Sequence, residues 1–302
     1  MDESIREKFS KSLFVNGVRK WEDLHTDCLV KIFATVDIES LIVHLPLVCK
    51  SWYKASLDPL CWKFLDFEYL HLATSFKKLF HTQDLCAKKA IKYAVKSSCG
   101  IATEVAFPPS LVYANILQYV LERCPALKSL TLPYKFIDPC LENELICVPK
   151  LINKWKNLES LKLSSDYYFE EILTQINIHC KKFVSLTVEA HHVTEQVASA
   201  IVTFVPNIKY LEISSFFLHR DDLMLILSGC RKLELLDLNE CLGNFNTNDA
   251  EIVAMTSHIK RFESGVVKLA NIELIEHGHL PLRSSGRNQV TYFDTTAICS
   301  IM

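Results

Sequence analysis

Glycine is scarce, at 7 of 302 residues. No Gly-x-Gly-x-x-Gly or Gly-x-x-x-x-Gly-Lys-Ser/Thr run occurs, so a phosphate-cradling loop is not expected. A basic excess is also missing. Lys+Arg number 33 against 35 Asp+Glu, for a net charge of −2, whereas a dedicated nucleic-acid binder carries a basic stripe or surplus. The opening stretch, MDESIREKFSKS, has no apolar segment of the secretory type. No Asn-x-Ser/Thr sequon is found, and apolar runs such as Ala200 to Val205 are too short to span a bilayer. Twelve cysteines in 302 residues fall far below the density of a disulfide scaffold. The expectation is an intracellular protein with reduced thiols. Hydrophobic residues at 49% and charged residues at 23% are ordinary globular values.

What the chain does have is a period. An apolar-x-x-apolar-x-apolar pattern recurs at Leu127/Leu130/Leu132, Leu158/Leu161/Leu163, Phe183/Leu186/Val188, Ile208/Leu211/Ile213 and Leu233/Leu236/Leu238. First positions are 31, 25, 25 and 25 residues apart. Weaker copies sit at Ala102/Val105/Phe107 and Ile259/Phe262/Ser264. The last two apolar residues of each copy are two apart, so they share one face of a short strand. Apolar residues at helical spacing fill the return segments, for instance Ile116/Leu117/Val120/Leu121 and Leu223/Ile226/Leu227. Strand and returning helix every 25 residues predict a solenoid of the α/β class, with parallel strands inside and helices outside. No single copy buries its own apolar face, so stability is collective.

These copies resemble leucine-rich repeats, in particular the cysteine-containing kind. Cys99, Cys124-Pro125, Cys180 and Cys230 each lie three residues before the first apolar position. They read as a structural column of small buried hydrophobes rather than metal ligands. No Cys-x-x-Cys occurs, and neither Cys140/Cys147 nor His191-His192 has zinc-site spacing. No metal or cofactor is expected. The extra residues between 127 and 157 are an insertion, expected within 138–154.

Residues 21–65 leave the repeat. Thr26 or Asp27 is a plausible N-cap for Leu29/Ile32/Phe33/Val36. A second apolar stretch, Leu41/Ile42/Leu45, is limited by Pro46, and a third runs from Val48 to Ser56 before Asp58-Pro59 stops it. Three short helices of this size cannot bury all their apolar surface, so a partner is expected. The segment resembles an F-box. Trp21, Leu24, Leu29, Ile32, Phe33, Leu41, Leu45, Val48-Cys49-Lys50-Ser51-Trp52, Pro59 and Trp62 carry the likeness. One departure is Leu24-His25, where the family commonly has Leu-Pro. Together with the repeats, the chain resembles plant F-box/leucine-rich-repeat proteins.

The resemblance implies a role rather than a chemistry. The F-box would dock a Skp-family adaptor, and through it a cullin, in a ubiquitin ligase. The repeats would hold an unknown protein substrate, with no nucleic acid involved. The implied adaptor face is Leu24, Leu29, Ile32, Leu45, Val48, Cys49 and Trp52. Trp52 and Val48 would alternatively fill the module's own core. A repeat scaffold whose F-box-like module engages no adaptor is the competing reading, and His25 is its support. An enzyme is disfavoured, because no Ser/His/Asp or paired-carboxylate constellation stands out.

Residues 1–20 read as a tail, and 66–98 as a helical linker with a lysine-rich outer side at Lys77, Lys78, Lys88, Lys89, Lys92 and Lys96, expected to be a solvated face. The repeats span 99–264. On their strand face, Lys162, Tyr210, Glu212, Leu235 and Asp237 are the candidate substrate contacts. Tyr167-Tyr168-Phe169 and Phe216-Phe217 follow two strands, where they either form an exposed rim or fold under to cap the core. The second is expected, since large exposed apolar patches are uncommon. Residues 265–302 read as a terminal cap and flexible tail. The tail ends Cys299-Ser300-Ile301-Met302, a C-a-a-X form that would take a farnesyl group on Cys299. One such lipid gives marginal, reversible membrane binding. The expected location is cytoplasmic or nuclear, with a membrane-associated fraction only if Cys299 is prenylated.

Overall fold

The computed structural model describes residues 21–68, 84–108, 116–133, 147–164, 168–243, 245–265, 267–268, 279–283 and 290–294. The chain divides into two units, Met1–Leu186 and Thr187–Met302.

The first unit opens with a helical module. A single turn at Trp21–Asp23 precedes helix α1 (Thr26–Phe33). A π-type stretch, Ser40–His44, runs into a tight turn at Leu45–Leu47 that holds Pro46, and helix α2 (Lys50–Ser56) follows. The cap of α1 is His25, one residue earlier than the sequence suggests. Its Nδ1 accepts the Asp27 N–H at 3.4 Å. Its φ of −57° lies within the range that proline imposes, so the backbone keeps the shape of the family's Leu-Pro start. Asp37 starts the next stretch by accepting both the backbone N–H and the hydroxyl of Ser40 at 2.8 Å. Asp58 accepts the Leu60 N–H at 2.9 Å and opens a last turn at Pro59–Trp62, with proline at its first position. Leu29, Phe33, Leu41, Ala55, Cys61 and Trp62 form the buried centre. Full burial of a large apolar side chain contributes about 1.5–3 kcal/mol.

The repeats begin earlier than their leucine pattern announces. Strand β1 (Phe64–Asp66) pairs in parallel with β2 (Glu104–Ala106), β2 with β3 (Ser129–Thr131), and β3 with β4 (Ser160–Ser164). Leu65, Val105, Leu130 and Leu161 occupy one register row and are all buried. Trp62-x-x-Leu65-x-Phe67 is therefore an additional copy of the repeat pattern. At each strand entry two successive N–H groups converge on one carbonyl. Thr103 and Glu104 donate to Lys63, Lys128 and Ser129 to Thr103, and Glu159 and Ser160 to Lys128, at 2.7–3.2 Å.

This corrects the expected linker. Helix α3 (Asp84–Ser97) is the return helix of the first coil. Its Ala90 packs with Val43 and Ile42 of the helical module, and the Tyr93 ring meets Trp62 edge-on at 5.5 Å. Helical module and first coil share a core. The later return segments are α4 (Ile116–Arg123), α5 (Val148–Leu151) with a turn at Ile152–Lys154, and α6 (Phe169–His179).

The second unit continues the pattern. Strand β5 (Ser185–Val193) crosses the boundary between the units. It is followed by α7 (Glu195–Phe204), β6 (Tyr210–Leu218), α8 (Arg220–Gly229), β7 (Leu235–Gly243), α9 (Ala250–Thr256) and β8 (Arg261–Glu263). β6, β7 and β8 are parallel neighbours, and β9 (Val267–Lys268) also pairs with β7. β5, β6 and β7 are nine residues long and outrun the short strands expected. Phe216 and Phe217 consequently lie on β6 rather than after it. Gly229 ends α8 where a Cβ would sit 2.2 Å from a Val202 methyl of α7, so the close helix contact requires glycine. Within the stretch read as terminal cap and tail, two further short strands are described. His279–Arg283 (β10) and Val290–Asp294 (β11) form an antiparallel pair.

Ion pairs follow the period in this unit. Glu234 accepts Lys209 at 2.8 Å and Lys260 at 2.6 Å, from positions 25 and 26 residues away. The two ammonium groups hold the Glu234 carboxyl down at about 2, below its ordinary 4.5. A depressed carboxyl stabilises the fold above pH 4.5 and loses that contribution as pH falls toward 2. Glu234→Gln should therefore melt below the wild type at pH 7. Melting curves across pH 7 to 2 should show the gap closing between 4.5 and 2.

Candidate functional site

Two surfaces carry the chemistry that the sequence singled out. The first is on the helical module. Ile32 is 42% exposed, Leu47 81% and Val48 58%, with Trp21 and Tyr53 also open to solvent. Leu24, Leu45, Cys49 and Trp52 are half-buried. Cys49 Sγ and Ser51 Oγ lie 3.1 Å apart. Trp52 turns its edge to Phe33 at 5.2 Å, and its indole N–H is buried with no hydrogen-bond partner among the described residues. It thus packs against Phe33 at the margin of the module's core.

Leu29 is a correction. It is 1% exposed and belongs to the core. On α1, Leu29 and Phe33 face inward one turn apart, while Ile32 falls on the outer side. Leu47, Tyr53 and Trp21 are exposed apolar residues that the sequence reading did not place on this surface. The signal available for Leu47 was its place beside Pro46, where the tight turn points it away from the core.

The second surface is the outward side of the strands. Tyr210, Leu235 and Arg261 share one register row, and Glu212, Asp237 and Glu263 the next. Tyr210 is 41% exposed, and Leu235 and Asp237 are half-buried. Glu212 accepts the Thr187 hydroxyl at 3.2 Å. Asp237 accepts the Asn239 backbone N–H at 2.8 Å, and Glu263 is held by Arg261 and by the Asn239 amide. Lys162 lies in the first unit, in register with Thr131 on β3. The structure therefore brings four of the five candidate residues together on β6 and β7. Phe169 folds into the core, and Phe217 is half-buried beside His219 and His192 at 4.5 and 6.2 Å. Tyr167 and Cys299 lie outside the described residues.

The repeat-phased cysteines sit where helices end. Cys180 and Cys230 cap α6 and α8, with backbone N–H groups donating to the carbonyls of Ile176 and Ile226 at 2.8 Å. The Cys180 thiol also donates to the Trp155 carbonyl at 3.4 Å. Burial pushes Cys124 up to about 12 and Cys180 and Cys230 to about 11, so these thiols stay protonated at neutral pH. Cys99 differs from the column. It is exposed, with a φ of +48° beside Gly100. No group of three or more metal-ligating side chains is found among the described residues. Nor is any helix among them long and apolar enough to cross a membrane.

The F-box domain family matches residues 21–64, the span of the helical module up to β1. An F-box/leucine-rich-repeat protein of Arabidopsis thaliana is 32% identical over 231 residues, covering 74% of this chain and 72% of the relative. The chain belongs to the F-box/leucine-rich-repeat family. Two further Arabidopsis proteins, F-box protein FBW2 and one named F-box/LRR-repeat protein 23, are each 26% identical. They align over 74% and 76% of this chain and 68% and 49% of their own lengths. A crystal structure of a TLR13–ssRNA13 complex shares 13% identity at a TM-score of 0.36, over 56% of this chain and 23% of that one. So loose a likeness adds nothing to the strand ladder, on which the fold assignment stands. In this F-box/leucine-rich-repeat chain, Trp62 is both the last signature residue of the F-box and the first apolar position of the repeats.

Proposed function

We propose that this chain is the substrate-recognition subunit of a Skp–cullin–F-box ubiquitin ligase. The F-box docks the Skp-family adaptor, and the strand face holds a protein substrate. The observation that carries the first half is the open apolar patch of Ile32, Leu47, Val48 and Tyr53 on a module matched as an F-box. Soluble chains rarely leave such side chains together without a partner. Leu24, Leu45, Cys49 and Trp52, half-buried on the same module, complete the implied adaptor face. The proline-like backbone at His25 supports this reading over a scaffold with an idle F-box.

The chain supplies binding and orientation, and ubiquitin transfer belongs to the other subunits. Buried, protonated cysteines are poor thioester formers, which fits that division. On the substrate side, Tyr210 and Leu235 offer apolar contact beside the carboxylates of Glu212 and Asp237. The test is a reconstitution with adaptor, cullin and RING subunits, followed by proximity labelling in cells treated with proteasome inhibitor. Wild-type chain should assemble with the adaptor and enrich a set of ubiquitinated proteins. Tyr210→Ala/Leu235→Ala should keep the adaptor and lose that set. Failure of the folded wild type to assemble with any Skp-family adaptor would favour the scaffold. Retention of the same set by the double variant would move the substrate site elsewhere.

A further inference from the structure

The first coil carries a charged surface that neither docking role uses. On α3, Lys89, Lys92 and Lys96 are exposed and Lys88 is half-buried. At 3.6 residues per turn they fall within about 100° of arc, with the buried Ala90, Ile91 and Ala94 on the other side of the helix. The neighbouring helix α4 presents Tyr119 between two cations. Lys92 Nζ lies 5.2 Å from its ring centroid and Arg123 Cζ 4.0 Å. Arg123 also donates to the Tyr119 carbonyl at 3.3 Å. Glu122 is the carboxylate at this face. It stands 3.9 Å from Arg123 and accepts the Gln118 amide at 2.9 Å. Among the described residues no carboxylate pairs with Lys89, Lys92 or Lys96. A plain solvated face, as the sequence suggested, would not need two cations gathered on one ring. Tyr119 fixes them, which lowers the ordering cost when an anion arrives.

We propose that the outer face of α3 and α4 is a docking surface for an acidic segment of a protein partner. Charge complementarity selects the occupant. Lys89, Lys92, Lys96 and Arg123 gather on this face, and Glu122 is the carboxylate described beside them. Extent separates a peptide from a nucleic acid. At 14 residues α3 is about 21 Å long. The helical module packed against it, residues 21–68, holds eight Asp and Glu against four Lys and Arg. That net negative charge disfavours a long polyanion on this part of the chain, whereas a short acidic peptide fits within the length of α3. Tyr119 is already engaged by Lys92 and Arg123, so it offers no open ring for base stacking.

The test uses the full chain and a fluorescein-labelled oligoglutamate peptide, read by fluorescence anisotropy from about 0.05 to 0.2 M salt, over which charge contacts are progressively screened. Wild type should bind, and more weakly as salt rises. Lys89→Gln/Lys92→Gln/Lys96→Gln/Arg123→Gln should lose about tenfold in affinity, from four modest charge contacts. If that variant does not fold, Lys89→Gln/Lys96→Gln, which leaves the Tyr119 stack intact, should still weaken binding and reduce its salt dependence. Lys92→Arg should bind as wild type. No binding at the lowest salt, or unchanged affinity in folded charge-removed variants, would overturn the proposal. So would tighter binding of a single-stranded oligonucleotide of equal charge. None of these variants touches the F-box patch, so adaptor capture is read separately.

Discussion

Val48→Asp is expected to weaken capture of a Skp-family adaptor by at least about thirtyfold, some 2 kcal/mol, the threshold of a hot-spot residue. Its melting temperature should stay close to that of the wild type. Val48 is exposed in the free chain, so a carboxylate there costs the fold little. In a complex it would be desolvated against apolar partner groups without a counter-charge. Ile32→Ala should weaken capture in the same direction with the fold intact. Leu29→Ala is the informative contrast. Its side chain is sealed in the module, so the loss should appear first as about 2–5 kcal/mol of stability. Isothermal titration with adaptor, paired with thermal melting, separates the two behaviours. Equal melting losses for Val48→Asp and Leu29→Ala would place Val48 in the core and remove it from the docking face.

Trp62→Ala is expected to be the most destabilising single change in the first unit, at about 3–5 kcal/mol. Trp62 is fully buried, stacks edge-on against Tyr93 of α3, and donates its indole N–H to the Ser56 carbonyl at 2.8 Å. Its removal opens a cavity between the F-box and the first coil and leaves that carbonyl unpaired. Chemical denaturation followed by tryptophan-independent far-UV dichroism would measure it. Because the core is shared, the F-box and β1–β2 should lose structure in one transition. Trp62→Phe should recover much of the packing but not the hydrogen bond. A loss confined to the F-box, with α3 and β2 unaffected, would mean the two parts fold independently.

These two residues also mark what could be read from sequence. Apolar spacing located β3 through β7 because the copies at β4 to β7 keep the 25-residue period, with β3 one insertion upstream, and all five keep apolar residues at the three positions. Trp62-x-x-Leu65-x-Phe67 escaped notice because its next copy starts 40 residues on and its first position is tryptophan. The F-box signature also claimed that tryptophan, so one residue was asked for one role. On α1, apolar spacing identified the helix but could not tell its two apolar sides apart. Leu29 and Ile32 are three apart, yet one is core and the other surface. Only the placement of α2 and the Pro59–Trp62 turn against α1 decides which. The strand-face residues were readable to the extent that period two fixes a face. The gathering of Tyr210, Leu235, Glu212 and Asp237 follows from parallel register, which the 25-residue repeat supplies. The cationic stack on Tyr119 was not readable, because it depends on Lys92 and Arg123 arriving from different helices.

The account rests on an F-box that docks an adaptor while the strands remain free for cargo. Hydrogen exchange of the full chain, with and without a Skp-family adaptor, tests this most directly. The account predicts new protection within 21–57, centred on the segments that hold Ile32, Leu47, Val48 and Tyr53, and unchanged exchange in Tyr210–Leu218 and Leu235–Gly243. Protection that appears in those strands instead, with the helical module exchanging as before, would contradict it.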